Sequence, residues 1–330
     1  MRQPDFWTGR SASAFLVAIP LAPLGWIYGA TIACRARMSR PYRSRARVVC
    51  VGNLGAGGAG KTPVAMEIGR LLAARGARAV FLTRGYGGVV TGPILVSASD
   101  VATRVGDEPL LLATVAPVIV ARDRAAGAKL ADDNGFDVII MDDGHQNFSL
   151  AKDLSVIVVD AEVGFGNGRI LPAGPLRESV RQGLGRANAI ILLGDGSPPE
   201  NVDTTLPMVR AKLVATEDEK WRNRRVVAFA GIGRPEKFFA TLKSLGAQIV
   251  EAFSYADHFV YPKAEIARLK ARARDARATL VTTEKDFVRI ASAERVGIEQ
   301  LHVRAVFESA SALDRLLDKI VPRALPPQTP

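Results

Sequence analysis

Residues 55–62 have the composition and order of a phosphate-binding loop. They read Gly-Ala-Gly-Gly-Ala-Gly-Lys-Thr, which satisfies G-x-x-x-x-G-K-[ST] between a β-rich run and a helical pattern. Glycines let backbone N–H groups approach phosphate oxygens, and the helix N-terminus adds the positive end of its dipole. Lys61 is expected to reach the β- and γ-phosphates, and the Thr62 hydroxyl to bind Mg²⁺. The predicted nucleotide-binding residues are Gly55, Ala56, Gly57, Gly58, Ala59, Gly60, Lys61 and Thr62.

A pair of carboxylates follows a second apolar run. Residues 136–143 read Phe-Asp-Val-Ile-Ile-Met-Asp-Asp, so four apolar residues precede Asp142 and Asp143. Adjacent carboxylates at the end of a buried strand repel each other unless a cation or hydrogen-bond donors compensate them. We therefore expect Asp142 to belong to the Mg²⁺ shell of the nucleotide site. An N-cap for the following turn is the alternative.

Two short segments after the second predicted strand are candidates for binding a phosphate acceptor. They are residues 84–87 (Arg-Gly-Tyr-Gly) and 106–109 (Gly-Asp-Glu-Pro). Ligands of open α/β sheets bind at the carboxyl edge, where both segments are expected to lie. A carboxylate such as Asp107 can accept the proton of an attacking hydroxyl. Taken alone, however, Gly-Asp-Glu-Pro is more typical of an ordinary turn.

Other nucleotide-dependent classes share parts of this pattern. The loop glycines also fit the dinucleotide fingerprint G-x-G-x-x-G, and an NADP-binding reductase would use Arg84 for the 2′-phosphate. A guanine-specific switch would carry N-K-x-D, which the chain lacks. A membrane-associated assembly or partitioning ATPase carries a lysine where this chain has Ala56. These comparisons favour a small-molecule phosphotransferase and leave the assembly ATPase as the alternative.

The remaining patterns predict the elements that position these residues. From Val48 onward, β-rich runs alternate with helical patterns, which indicates a P-loop NTPase-type, doubly wound, mostly parallel sheet and then a smaller α/β domain. The expected strands are 48–52, 79–83, 117–121, 136–141, 155–160 and 189–193, then 226–230, 248–252 and 278–282. Helices are expected at 235–245 and 309–321. The predicted division is a membrane-contacting segment 1–47, a kinase domain 48–215, a smaller domain 216–321 and a disordered tail 322–330.

The first 47 residues join an apolar stretch to a basic one. No charged residue occurs between Ser11 and Cys34, a length sufficient to cross a bilayer. Six arginines follow without an acid: Arg35, Arg37, Arg40, Arg43, Arg45 and Arg47. Such a cluster marks the cytoplasmic side of a membrane and attracts anionic headgroups. Because Pro20 and Pro23 interrupt the stretch, we expect a helix broken up within the membrane interface. Packing on the chain's own domain is the alternative.

Composition excludes several classes of protein. Two cysteines without a C-x-x-C spacing exclude a disulfide scaffold and a cysteine-based zinc site, and three scattered histidines argue against a histidine-rich metal centre. The net charge of +11 suits an anionic partner, which by charge alone is a nucleic acid, a membrane or a phosphorylated substrate.

Seven segments, in order, resemble those of tetraacyldisaccharide 4′-kinases, the lipid A pathway kinases of Gram-negative bacteria. The segments are residues 52–63, 84–87, 106–109, 142–146, 171–178, 257–258 and 282–286. The resemblance implies that ATP, with Mg²⁺, phosphorylates the 4′-hydroxyl of a tetraacyldisaccharide 1-phosphate to form the 1,4′-bisphosphate. It also implies an anionic lipid substrate at the cytoplasmic face of the inner membrane, with no nucleic acid and no obligatory protein partner.

The resemblance further implies roles for individual residues. Asp107 would be the base, with His258 of the second domain as its partner. The implied catalytic residues are Asp107, His258, Lys61 and Asp143. The implied metal ligands are Thr62, Asp142 and Glu178. Contacts to the acceptor or nucleotide are implied for Asn53, Arg84, Tyr86, Gln146 and Arg177. The chain departs from the family at Asn147 and Phe259, which replace histidines, and asparagine cannot shuttle a proton near neutral pH.

Overall fold

The structure combines two sheets with a long N-terminal helix and a series of shorter helices. A computed structural model describes residues 4–7, 12–199 and 205–321. The larger sheet contains β1 (Arg47–Gly52), β2 (Ala79–Thr83), β3 (Ile94–Leu95), β4 (Val118–Val120), β5 (Val138–Asp142), β6 (Leu154–Asp160), β7 (Ala189–Leu193), β8 (Met208–Ala215) and β13 (Val303–Phe307). The smaller sheet contains β9 (Arg225–Ala230), β10 (Gln248–Ser254), β11 (Thr279–Thr283) and β12 (Ile298–Leu301).

Eleven α-helices lie in the described part of the chain. They are α1 (Ala12–Met38), α2 (Lys61–Ala74), α3 (Ala102–Val105), α4 (Asp107–Leu112), α5 (Arg124–Asp133), α6 (Val180–Leu184), α7 (Asp218–Trp221), α8 (Pro235–Ser244), α9 (Lys263–Asp275), α10 (Glu284–Phe287) and α11 (Ala310–Asp318). Two 3₁₀ turns, Asp5–Trp7 and Ser292–Glu294, complete the set.

The order of the larger sheet places three carboxyl strand ends side by side. Its order is β13-β8-β7-β6-β1-β5-β2-β4-β3, and only the pairs at the two edges, β13 with β8 and β3 with β4, are antiparallel. β1 lies between β5 and β6, with Val51 opposite Asp142 and Gly52 opposite Ile157. The loop that follows β1 therefore lies beside the ends of β5 and β6.

Burial explains why these runs form the centre of the sheet. Every residue of β2, β5, β6 and β7 is buried, as expected for strands covered by helices on both faces. Helix α2 buries Val64, Ile68 and Leu72 on one face, and Gly76 follows its end with a φ of 84°. The predicted fold class is confirmed, and all six predicted strands of the larger sheet are present within two residues of their predicted bounds.

The end of the chain returns to the larger sheet, which corrects the predicted range 216–321 for the smaller domain. β13 pairs antiparallel with β8, and α11 buries Leu313 and Leu317 in the same core as Val64. Only the part from β9 to β12 forms the smaller sheet. The predicted tail, 322–330, lies outside the described residues.

Helix α1 is continuous, so the predicted break at its prolines is wrong. It runs for 27 residues with Pro20 and Pro23 inside. One face packs on the larger domain, where a Cβ on Gly25 or Gly29 would come within 2.8 Å of Ile170 atoms. The segment Leu16–Met38, with a mean hydropathy of 1.6, is long and apolar enough to cross a membrane and is 28% buried. The helix thus partly follows the alternative, packing on its own domain, and keeps a free apolar face.

Candidate active site

The phosphate loop has a backbone that only glycine adopts readily. Gly57 and Gly60 have φ of 130° and 78°, and a Cβ on Gly60 would come within 2.2 Å of a Leu193 methyl group. Lys61 is the first residue of α2, and its ammonium group bends back over the loop to the Gly57 carbonyl, 3.4 Å away. This places the lysine charge at the helix N-terminus, where phosphates bind.

The loop is tied to the segment that follows β6. The Ala56 N–H donates to the Pro175 carbonyl at 2.7 Å, and the Arg177 N–H donates to the Leu54 carbonyl at 2.7 Å. The Ala56 N–H therefore points toward Pro175, although the sequence places Ala56 among the nucleotide-binding residues. Ile170 of the same segment contacts α1, so one stretch of chain connects the N-terminal helix to the phosphate loop.

Thr62 and Asp142 form a pair suited to a divalent cation. The Thr62 hydroxyl donates to Asp142 Oδ2 at 2.9 Å, while Asp142 Oδ1 is buried without a hydrogen-bond partner among the described residues. Burial, together with the charges of Glu108 and Asp143, raises the pKa of Asp142 to about 7 against the opposing charge of Lys61. Mg²⁺ is commonly held by one or two carboxylates plus phosphate oxygens and water, and this oxygen pair fits that ion.

Asp143 is held by two cations. Its φ of 53° turns the carboxylate toward Arg177, which donates to both oxygens at 3.0 and 3.2 Å. The Lys61 ammonium lies 3.6 Å from Asp143 Oδ1. Burial alone would raise the pKa of Asp143, but the charges of Lys61 and Arg177 and their hydrogen bonds hold it below the ordinary value. Asp143 is therefore ionised and orients Lys61.

Glu178 anchors a buried hydrogen-bond chain. Its Oε1 accepts from the Gln146 amide at 2.9 Å, and its Oε2 accepts from Arg186 at 2.5 Å. The same Gln146 amide donates to the Asn53 carbonyl at 3.0 Å, at the base of the phosphate loop. Both oxygens of Glu178 are thus engaged by side chains, and its role as a metal ligand stays a prediction.

Asp107 lies at the contact between the two domains. It is the first residue of α4 and is buried, with Nδ1 of His258 3.0 Å and Nε of Arg289 2.7 Å from its Oδ2. Lys285 lies 4.0 Å from the same oxygen. Burial would raise the pKa of Asp107, but the His258 hydrogen bond and the charges of Lys285 and Arg289 hold it well below the ordinary value. All three partners come from the smaller domain.

Arg289 is itself fixed by the smaller domain. It donates to the Gly231 carbonyl at 2.7 Å and to the fully buried Asp286 at 2.9 Å. Asp286 also accepts from the Tyr261 hydroxyl at 3.0 Å. The sequence reading singled out residues 282–286 but missed Lys285 as a contact and Arg289 altogether. The spacing of three residues from Asp286, which allows an ion pair within one helical turn, is a signal that points to Arg289.

Tyr86 and Arg84 belong to the segment that follows β2. The Tyr86 ring meets the His258 ring edge-on, with 5.2 Å between centroids. Arg84 is exposed, and its charge combines with burial, the larger effect, to lower the pKa of Arg124 to about 10. Arg124, which the sequence reading also missed, is buried with its Nε unpaired among the described residues.

The predicted site residues thus form two groups. Lys61, Thr62, Asp142, Asp143, Arg177, Gln146, Glu178 and Asn53 surround the phosphate loop, and Asp107, His258 and Tyr86 meet at the contact between the two domains. Glu108 connects the groups, since its charge acts on Asp142.

The two positions that depart from the family have structural contacts here. Asn147 accepts from the Ser149 hydroxyl at 3.1 Å and closes a turn. Phe259 stacks on Tyr255 with 4.7 Å between ring centroids. His145, in contrast, is a buried neutral residue, because burial lowers its pKa to about 3 and Ser155 Oγ lies 3.0 Å from its Nδ1.

A phosphate loop at the carboxyl edge of a mostly parallel sheet, with a buried carboxylate at the contact between the two domains, defines the class of P-loop phosphotransferases that act on a hydroxyl acceptor. Within that class, the chain belongs to the tetraacyldisaccharide 4′-kinase family, because the family model for tetraacyldisaccharide-1-P 4′-kinase matches residues 17–322.

Relatives support the assignment along the whole chain. The tetraacyldisaccharide 4′-kinase of Rhodospirillum rubrum is 47% identical over 99% of this chain and 100% of its own length. That of Methylobacterium radiotolerans is 49% identical over 96% and 97%. A solved structure of LpxK from Aquifex aeolicus, described as an apo form in complex with ATP, superposes with a TM-score of 0.74 at 27% identity, covering 92% of this chain and 99% of that one.

The comparisons confirm the function that the resemblance implies. The chain is an ATP-using kinase of lipid A biosynthesis that acts on a lipid A precursor. The two alternatives, an assembly ATPase and an NADP-binding reductase, are set aside.

Proposed function

We propose that the cleft between the two domains transfers the γ-phosphate of ATP to the 4′-hydroxyl of a tetraacyldisaccharide 1-phosphate, with Asp107 as the base. The observation that carries this proposal is the position of Asp107. It is buried and ionised at the N-terminus of α4, and its neighbour Glu108 lies close enough to Asp142 for its charge to act there. An acceptor hydroxyl between Asp107 and Asp142 would have a proton acceptor on one side and the phosphates of ATP on the other.

His258 serves as a positioning residue for Asp107. The histidine has a φ of 60° and is fixed by its own N–H, which donates to the Gly231 carbonyl at 3.1 Å. The contact of His258 Nδ1 is with Oδ2 of Asp107, and among the described residues the other oxygen, Oδ1, accepts only from the adjacent Glu108 N–H, at 3.0 Å. That oxygen is the one available to the acceptor hydroxyl.

Thr62 and Asp142 would hold Mg²⁺, with Glu178 as the further predicted ligand. The ion supplies charge neutralisation at the phosphates when bound. Lys61 adds a second positive charge on the same side, and Asp143 keeps that lysine in place through its contact of 3.6 Å. Arg177 also pairs with Asp143, so the charge of Asp143 is shared between two cations.

Helix α1 would dock the enzyme on the membrane that holds the lipid acceptor, at its cytoplasmic face. Leu16, Trp26 and Ile27 are 70%, 72% and 64% exposed, so the helix presents large apolar side chains opposite its packed face. Arg35 and Arg37 occupy its last turn, where they can meet anionic headgroups. The substrate then reaches the cleft without leaving the bilayer.

Phosphate transfer tests the proposal directly. Label from γ-³²P-ATP is expected in a tetraacyldisaccharide 1-phosphate presented in detergent micelles, and is expected to be lost in Lys61→Ala and Asp107→Ala. The matched control is Asp100→Ala, which removes another acid of the segment before α4, one that pairs with Arg104. Near-normal transfer by Asp107→Ala would show that Asp107 is not the base. Transfer that does not require Mg²⁺ would contradict the proposed metal site.

A further inference from the structure

The smaller domain places an arginine against the phosphate loop. Arg234 immediately precedes α8, and its guanidinium donates to the Gly58 carbonyl at 3.4 Å and to Asp160 Oδ2. Gly58 belongs to the loop, and Asp160 ends β6, the strand beside β1. Among the described residues, Lys61 and Arg234 both donate hydrogen bonds to carbonyl groups of the loop. Arg234 belongs to the opposite domain.

A second cation, Lys237, pairs with the same acids as Arg234. Lys237, three residues further on, lies 3.4 Å from Asp160 and 2.6 Å from Glu162. Burial would raise the pKa of Asp160, but the hydrogen bond from Arg234 and the charges of both cations hold it low. The two carboxylates at the end of β6 can therefore be paired by Lys237 alone, which frees the guanidinium for another anion.

The loop that Arg234 contacts is the one expected to hold the phosphates of ATP. Loop residues cradle the β- and γ-phosphates, and negative charge on the transferring group rises toward the transition state. A guanidinium offers five donors in a planar fork, and Arg234 uses it toward Gly58 and Asp160, with Glu162 3.9 Å away. The Arg234 side chain is one-third exposed.

We propose that Arg234 binds the γ-phosphate end of ATP, as a catalytic residue that the smaller domain supplies, while Lys237 takes over its pairing with Asp160. The proposal rests on the kinase function above. The domain contact that places His258 beside Asp107 would then also place Arg234 beside the γ-phosphate. Completion of the site would depend on the same domain contact.

Nucleotide binding separates this role from a structural one. The measurement is the Kd of a non-hydrolysable imido analogue of ATP and that of ADP, both with Mg²⁺, for the full chain. Arg234→Ala is expected to weaken binding of the analogue about tenfold and to leave ADP binding unchanged, because ADP lacks the γ-phosphate. Lys237→Ala, which removes an ion pair at the same Asp160, is expected to leave the ratio of the two Kd values as in the wild type. Arg272→Ala, on the remote surface of the smaller domain, controls for loss of charge.

Kinetics provide the second measurement. Arg234→Ala is expected to lower kcat about 100-fold or more, by analogy with other arginines that contact a transferring phosphate. Arg234→Lys is expected to recover only part of the lost kcat, since an ammonium group lacks the planar fork of donors that a guanidinium has. Equal weakening of ADP and analogue by Arg234→Ala, or the same loss in Lys237→Ala, would show a domain tether and overturn the proposal. If lipid phosphorylation itself fails in the wild type, the nucleotide Kd values still test Arg234.

Discussion

Nδ1 of His258 lies 3.0 Å from Oδ2 of Asp107, although the two residues belong to different domains and are 151 positions apart. The contact is reinforced by Arg289 from the same domain as His258. A base whose orientation depends on the opposite domain is complete only when the domains meet. With Asp107 as the proposed base, domain contact is expected to be a condition for catalysis, as it is for many enzymes that close over their substrates.

Replacement of His258 should lower the rate without changing nucleotide affinity. His258→Ala is expected to reduce kcat about 10–100-fold, since misplacement of a reacting group by an ångström costs of that order. Glutamine, which can still donate a hydrogen bond to Asp107, should recover part of the loss. Steady-state kinetics of lipid phosphorylation measure both variants, and His302→Ala, in a histidine paired with Glu284, is the control. No recovery by glutamine would assign His258 a proton-transfer role instead.

Asp142 should make the protein less stable as the pH rises. Its folded-state pKa is raised to about 7, so between about pH 4 and 7 the folded state binds a proton that the unfolded state has lost. Stability contributed by the protonated form is therefore lost across that window. In metal-free buffer, Asp142→Asn is expected to gain about 1–3 kcal/mol at pH 8 relative to wild type and little at pH 4, because it removes a buried, unpaired charge. Thermal unfolding at both pH values measures this.

Mg²⁺ should reverse that trend. Binding to the ionised carboxylate stabilises the folded wild type, and protons compete with the ion below pH 7, so the Mg²⁺-induced rise in Tm is expected to shrink as the pH falls. The Asn variant should show no such rise. An equal Mg²⁺ effect in both proteins would count against Asp142 as a ligand.

Arg289 should matter for stability as well as for the site. Its side chain is 4% exposed, and Arg289→Ala leaves Asp107 and Asp286 buried without their shared cation. Breaking a buried ion pair by removing one partner costs about 3–5 kcal/mol. Urea denaturation followed by circular dichroism should show that loss, whereas Arg272→Ala, in an exposed pair with Glu251, should stay within about 0.5 kcal/mol of wild type. A loss below about 1 kcal/mol would mean that water or a rearranged side chain compensates the two acids.

The free face of α1 should determine membrane binding. Replacing Leu24, Trp26 and Ile27 together by serine removes exposed apolar surface worth about 1.5–3 kcal/mol per side chain on burial. Partition into vesicles containing anionic lipid should fall more than tenfold, with unchanged circular dichroism. The matched control replaces Val250, Val260 and Val296, exposed valines of the smaller domain, by serine. Equal partition of both triple variants would locate the membrane contact elsewhere.

The local parts of the site were readable from the sequence. The phosphate loop is contiguous, so Gly60, Lys61 and Thr62 carry their chemistry in their order alone, and the apolar run before Asp142 indicates a buried strand. Placing Thr62 beside Asp142 needed only the rule that parallel strands end at one edge. The fold class followed from the same alternation of strands and helices. The partnership of Asp107 with His258 was implied by the family resemblance, and not by spacing.

Contacts between distant segments were decided by the tertiary structure. Hydrophobic periodicity indicates which residues are buried but not which segment they contact, so it does not predict that β13 returns to the larger sheet, and the predicted smaller domain is too long. Pro20 and Pro23 were expected to break α1, and the helix continues through them. Arg234 has no local pattern that marks a function, and the local signal for Arg289 is its spacing from Asp286. The roles that we propose for them depend on the packing of the second domain against the first, and the energy of that contact depends on geometry that no single segment contains.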